Sequence, residues 1–283
     1  MKSNVKILAA SGVLMVSTAV SALAGSVTEP GETVGLPVGA PLSPGLYFLD
    51  TLNWGVRSTN PNTALGVNIP VLAWSTPWTF LGARVQFVVA TPEAEEGVNH
   101  TTYFDGFFNP FFGGQLAWDL GGGFGFSYLI GGYAGVHTPV SFDTASLNQR
   151  VALSYTANGW NLTANAIWGI QGQAVTATLN PDFVNLDLTA TKKLGQWELG
   201  AVGFFSSDVS SPIPSYQRQS QFALGGLVGY DFGPVILQAY LTRDVAESNY
   251  GGFDTRAWGR IIIPFGDPFA TPAPAMTGPM YHK

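Results

Sequence analysis

Cysteine is absent from the 283 residues. That excludes a disulfide framework, cysteine-held metals, thiol catalysis and lipid attachment through an N-terminal cysteine. Charge is also scarce, at 11% of residues against a usual ~25% for globular chains. The 12 basic residues are outnumbered by 18 acidic ones, for a net charge of -6, so no basic face is available for nucleic acid. The three histidines, His100, His137 and His282, lack ligand spacing such as H-x-x-x-H, and no metal or cofactor is expected. No G-x-S-x-G elbow is present, so no catalytic residues are assigned and the chain is not read as an enzyme. Long uninterrupted apolar runs are missing too, and nothing beyond the N-terminus could cross a membrane as a helix.

What is there is 46% hydrophobic and 13% aromatic, with 35 Gly, 19 Pro and 8 Trp. So apolar a surface calls for a partner or a lipid phase to cover it. At the N-terminus, Lys2 and Lys6 precede an apolar stretch from Ile7 to Val20, and Ala22-Leu23-Ala24 follows before Gly25. This basic, apolar, A-x-A order reads as a cleaved signal peptide over residues 1–24. An exported, apolar chain without a spanning helix can enter a membrane only as a closed β-barrel, the other structure that satisfies every backbone polar group.

Gly25 to Pro44 is an extended Gly/Pro-rich leader without sustained period, free to lie in the periplasm or to fold back into a lumen. From residue 45 to 265 the chain breaks into runs of about ten residues that alternate in polarity. In Trp160 to Gln171, Trp160, Leu162, Ala164, Ala166, Trp168 and Ile170 fall on one face, opposite Asn161, Thr163, Asn165 and Gln171. Val184, Leu186, Leu188 and Ala190 likewise oppose Asn185, Asp187, Thr189 and Thr191, and Leu237, Ala239 and Leu241 oppose Gln238, Tyr240 and Thr242. Only strands separate residues this way.

Tight turns are expected at Ser75-Thr76-Pro77, Leu120 to Gly123, Asn158-Gly159, Lys193 to Gln196 and Asp231 to Pro234. Longer irregular stretches alternate with them at Thr91 to Thr102, Thr138 to Asn148, Gly172 to Pro181, Ser206 to Ser220 and Asp244 to Gly252. Short turns at one end and long loops at the other are the habit of outer-membrane barrels. The reading is all-β, a closed antiparallel transmembrane barrel of about twelve strands. Trp74, Trp78, Trp118, Trp160 and Trp197 sit beside the short turns, as an interfacial aromatic belt would. Arg260 to Phe265 reads as the last strand, and residues 266–283 as a Pro-rich disordered tail.

In order along the chain, Pro44-Gly45-Leu46-Tyr47, Asn68-Ile69-Pro70-Val71-Leu72-Ala73-Trp74, Phe104-Asp105-Gly106-Phe107-Phe108-Asn109-Pro110 and Leu116-Ala117-Trp118 are followed by Ser154-Tyr155 and Gly159-Trp160-Asn161-Leu162. Gly195-Gln196-Trp197-Glu198-Leu199-Gly200 and Gly233-Pro234 complete the set. This order resembles the outer-membrane proteins named for the meta-pathway of phenol degradation. A Pro-Thr-Gly stretch usual in that family is replaced by His137-Thr138-Pro139-Val140-Ser141-Phe142-Asp143. The resemblance implies a transporter-like barrel associated with aromatic catabolism that admits hydrophobic or aromatic compounds.

By parity with apolar neighbours, Arg84, Arg150, Asp187, Glu198, Asp254, Arg256 and Arg260 point inward, because a charge facing lipid at mid-depth costs a few kcal/mol. Two roles are open to them. They could pair across a filled lumen, or Arg84, Arg256 and Arg260 could form a selectivity surface for a substrate carboxylate or phenolate, with Trp258 as a stacking wall. The expected function is an outer-membrane channel or facilitator for small organic, aromatic or hydrophobic solutes. The alternatives are a structural or adhesive barrel with a closed lumen and, third, an outer-membrane hydrolase using His137 with Ser141 or Ser146. Expected partners are outer-membrane lipid and lipopolysaccharide, the barrel assembly machinery and a small organic solute.

Overall fold

In the computed structural model the described residues are 26–99, 102–173 and 180–266. The expected signal peptide, His100, His282 and nearly all of the tail lie outside them, as does part of the loop Gly172 to Pro181. The strands are β1 (Gly45–Arg57), β2 (Thr63–Phe80), β3 (Ala83–Ala90), β4 (Glu93–Val98), β5 (Thr102–Phe107), β6 (Phe111–Gly121) and β7 (Phe124–Tyr133). They continue as β8 (Ser146–Tyr155), β9 (Trp160–Gln171), β10 (Phe183–Leu194), β11 (Trp197–Asp208), β12 (Ser220–Asp231), β13 (Ile236–Ser248) and β14 (Asp254–Gly266). Every pairing is antiparallel, and β1 pairs with both β2 and β14, which closes the sheet.

Fourteen strands make twelve staves. The last part of β2, from Val71, pairs with β3, while its first part, Thr63 to Asn68, pairs with β4, so β3 and β4 are one stave broken at Thr91-Pro92. β5 and β6 are likewise one stave broken at Phe108-Asn109-Pro110. Proline has no N–H to give a ladder, which is why both breaks fall where they do. At the second break the Asn109 amide donates to the Ala134 and Phe142 carbonyls and accepts from the Phe142 N–H, at 2.6–2.8 Å. The loop 134–145 is thereby drawn over the free edge of β5, where the Thr138 hydroxyl also donates to the Phe107 carbonyl.

Several boundaries differ from the sequence expectation: β13 runs to Ser248, into the expected loop Asp244 to Gly252, and β14 begins at Asp254, where the last strand is expected from Arg260. Ser75-Thr76-Pro77 is not a turn: β2 runs on to Phe80, and the Thr76 hydroxyl donates to Val85 O and accepts from Trp78 N, which turns the proline into a bulge. The reversal falls at Leu81-Gly82, both at positive φ. The expected loop Thr91 to Thr102 is largely the β4–β5 hairpin, because Glu93, Glu95 and Asp105 face outward on regular strand backbone. The Asn158-Gly159 reversal has positive φ at both residues (54° and 75°), as a type I′ turn requires.

Alternation decides what each wall shows. On β9 every odd residue from Asn161 to Gln171 is turned from solvent, while Trp160, Leu162, Trp168 and Ile170 lie exposed outside. Leu72, Phe112, Ile130, Leu153, Leu224 and Leu241 extend this exposed apolar surface around the barrel. In water such a surface would drive aggregation; in lipid it is the correct one. Trp78, Trp160 and Trp197 stand exposed at the short-turn end, where Trp118 also donates to the Leu81 carbonyl.

Candidate functional site, a lumen divided by the leader

The leader occupies the lumen. Residues 26–40 form successive turns, with Glu32 N bonded to Glu29 O, Val34 N to Gly31 O, Leu36 N to Thr33 O and Ala40 N to Pro37 O. Gly31 has a φ of 89° and lies so close to the Phe204 ring that a Cβ would come within 2.6 Å of it. A residue other than glycine would satisfy neither condition.

Against β8 to β14 the leader is sealed by polar side chains. Asp187 is 2% exposed and accepts from Gly31 N, Thr33 N and the Thr33 hydroxyl at 2.9, 2.9 and 2.6 Å. Thr189 accepts from Gly35 N, Asn161 donates to Gly35 O, and Asn185 donates to Thr28 O. Arg260 uses all five of its donors: Thr51 and Gln238 side chains, the Tyr240 hydroxyl, and the Val34 and Glu32 carbonyls, at 2.6–3.0 Å. Arg256 binds Glu29, Asp254 and Asn53. Trp258 stacks on Tyr240, ring centroids 5.0 Å apart, and its indole N–H reaches Thr242. Glu198 accepts from Thr191 and Gln238. Buried charges such as these are stable only when paired, and here the leader supplies much of the pairing.

The long-loop mouth is stoppered separately. Arg57 lies 3.5 Å from Asp244 and 3.6 Å from Asp254, and its guanidinium stacks on the Tyr250 ring at 3.9 Å. Burial holds the Tyr250 phenol well above its ordinary pKa, against the Arg57 charge that lowers it and with Asp208, Asp244 and Glu29 adding to the rise, so the phenol stays protonated.

The other side of the lumen is open. Between the leader residues Leu36, Pro37, Val38 and Leu42 and the wall formed by β1, β2, β3, β6 and β7 lies a chamber of about 530 Å³. Most of its wall is apolar, from Leu49, Ile69, Val71, Ala73, Val88, Ala90, Phe111 and Leu129, with Gln86 and Gln115 bonded to each other at 2.8 Å, and Glu32, Arg150, Asn161, Asn165, Glu198 and Gln238 line the rest. It reaches the short-turn end, where Trp160 and Lys193 border it.

Of the inward residues expected from parity, Arg150, Asp187, Glu198, Asp254, Arg256, Trp258 and Arg260 all face the lumen. Arg256, Asp254, Trp258 and Arg260 are gathered beneath the leader. Arg84 is not with them; it lies at the short-turn rim and donates to the Thr76 carbonyl. The selectivity surface of Arg84, Arg256 and Arg260 is therefore not assembled, since Arg256 and Arg260 spend their donors on the leader and wall. Sequence reasoning passed over Arg57, Glu29 and Glu32, and the whole apolar wall of β2 and β3; Gln238 it placed on the polar face without a role.

A closed antiparallel barrel with an apolar exterior and a polar, partly filled lumen is the outer-membrane class of barrel. The chain belongs to the family described as "Putative MetA-pathway of phenol degradation", which it matches over residues 51–261. Its fold is similar to that of an outer membrane channel from Pseudomonas putida F1, at 12% sequence identity over 84% of this chain and 100% of that one, TM-score 0.65. The β domain of a Bordetella autotransporter is similar at 14% identity over 79% of this chain and 100% of that one, TM-score 0.51. No curated protein matches the chain in sequence.

Proposed function

We propose that the protein is an outer-membrane channel for small, predominantly apolar organic solutes, with the short turns in the periplasm and the long loops outside. The observation that carries this reading is the apolar chamber. A lumen wall made of Ile69, Val71, Val88 and Ala90 is costly to keep wet and has no structural need to be apolar, because the opposite wall shows that this barrel tolerates polar packing. Aromatic or aliphatic bodies fit such a chamber; hydrated ions do not. Similarity in fold to an outer membrane channel supports transport in general, and the family description points to aromatic compounds without naming a solute.

The lipid-facing wall would contact outer-membrane lipid and lipopolysaccharide, and assembly would follow the usual barrel machinery. The reading is not catalytic: His137 pairs with Asp143 in an exposed loop, and the Ser141 hydroxyl is taken up by the Val136 carbonyl and Thr138 N–H of its own loop. A second reading, a closed structural barrel, is favoured by one observation, the density of bonds that hold the leader. Uptake of N-phenylnaphthylamine, an apolar dye held back by lipopolysaccharide, separates the two. Cells carrying the protein should take up the dye faster than cells without it; equal rates would leave the structural barrel as the better account.

A further inference from the structure

Two ion pairs tie the leader to the wall, and they differ in their surroundings. Arg256–Glu29 is sealed, with side chains 7% and 4% exposed. Arg150–Glu32, at 2.6 Å, is 13% and 12% exposed, and both residues border the open chamber. The two partners of this second pair are held unequally. Arg150 is fixed to the wall: its Nε donates to Asn148 Oδ1 at 2.8 Å, and its guanidinium lies 4.8 Å from the centroid of Phe111. Its Nη2 also lies 3.4 Å from the Tyr133 hydroxyl. The Glu32 side chain, by contrast, has this one hydrogen bond among the described residues and rides on a turn of the leader.

Among the described residues three of the five Arg150 donors are engaged, one of them by Glu32, so with Glu32 gone the guanidinium offers the fork that carboxylates and phenolates recognise. Beside it, Phe111 and Leu129 continue into the apolar chamber. A preformed donor fork at the inner end of an apolar pocket is the arrangement that takes an amphipathic anion, head inward and body along the wall.

On this basis, and resting on the channel reading above, we infer that Arg150 is the head-group subsite for an organic anion with an apolar body, and that Glu32 occupies this subsite as an internal stand-in. Binding of such a solute exchanges one carboxylate for another on Arg150. Glu32 is released, and the leader loses this ion pair at the chamber, while its contacts with Asp187 and Arg260 and the bonds of Val38 O to Gln115 and Ser127 persist. The solute thus loosens the part of the leader that stands in its path. No bond is made or broken, and charge at Arg150 is conserved.

The test uses the mature protein in nanodiscs, titrated calorimetrically with 4-phenylbutyrate and with its uncharged amide, empty nanodiscs serving as the blank. The wild type should bind the acid about tenfold or more tightly than the amide, one charge-assisted contact's worth of discrimination. Arg150→Gln should abolish that preference, weakening acid binding far more than amide binding. Glu32→Gln, which removes the internal competitor, should strengthen acid binding and raise hydrogen exchange in residues 30–36. Heat-modifiable migration establishes that each variant is a folded barrel, and Arg150→Lys, which keeps the charge and loses the fork, serves if Arg150→Gln does not fold. Equal binding of acid and amide by the wild type, or an acid affinity unmoved by both substitutions, would overturn the inference. Dye uptake by the same variants reports on the channel separately: uptake with no acid preference removes the subsite alone, and acid preference without uptake removes the channel alone.

Discussion

Across the lumen, β10 and β2 use the same period of two with opposite sign. β10 turns Asn185, Asp187, Thr189 and Thr191 inward, and Leu186 and Leu188 outward. β2 turns Leu65, Val67, Ile69 and Val71 inward, with Asn68, Pro70 and Leu72 on the other face. On the first wall Asn185, Asp187 and Thr189 bond the leader directly, and none of these inward residues, Thr191 included, borders the chamber. On the second, Leu65, Val67, Ile69 and Val71 offer the leader no hydrogen bonds, its ties on this side being those of Ser75 to Leu42 O and of Gln115 and Ser127 to Val38 O, and a chamber stays open. Polarity of the lumen wall thus decides where the leader packs closely, and so where space is left in the lumen.

The largest effect should follow from removing the leader. Deletion of residues 26–44 joins the two regions, so single-channel conductance and dye uptake should both rise several-fold; unchanged values would show that the leader does not divide the lumen. Next, Leu188→Arg places a charge on the lipid face beside the sealed wall and should cost ~2–4 kcal/mol near mid-depth. Urea unfolding in lipid vesicles measures this, and a loss near zero would mean that β10 does not face hydrocarbon. Asp187→Ala removes an acceptor of three leader bonds and should loosen the leader by about 2 kcal/mol. Hydrogen exchange at Gly31 and Thr33 should accelerate accordingly, while heat-modifiable migration persists. The smallest change in stability is expected in the open region. Val71→Thr adds one hydroxyl at nearly constant volume and should cost about 1 kcal/mol, yet slow uptake of apolar dye; a variant with unchanged uptake would take Val71 out of the path.

Much of the barrel is legible in the sequence because a membrane wall with a wet lumen separates polar from apolar residues at every step, as in Trp160 to Gln171. The alternation of tight turns and long loops then supplies the count of twelve. What misleads is local chemistry. Thr76 folds its hydroxyl back onto the backbone and turns Pro77 from a turn signal into a bulge, and Pro92 and Pro110 interrupt staves that remain continuous in space. The inward direction of Asp187, Arg256 and Arg260 follows from parity, but their partners do not, since those partners are leader atoms more than 150 positions away. The chamber is hidden for a different reason. Where Val67, Ile69 and Val71 face inward, alternation still exists, but its sign is reversed, and period alone carries no sign.

The account stands most directly on whether an apolar solute crosses the open region of the lumen. Ala73 faces that chamber and is 7% exposed, so Ala73→Phe narrows it while leaving the Asp187 and Arg260 contacts of the leader untouched. In cells with matched amounts of folded, heat-modifiable barrel, N-phenylnaphthylamine uptake should be rapid for the wild type and fall towards the rate of cells without the protein for Ala73→Phe. Equal uptake by the two proteins would contradict passage through the chamber.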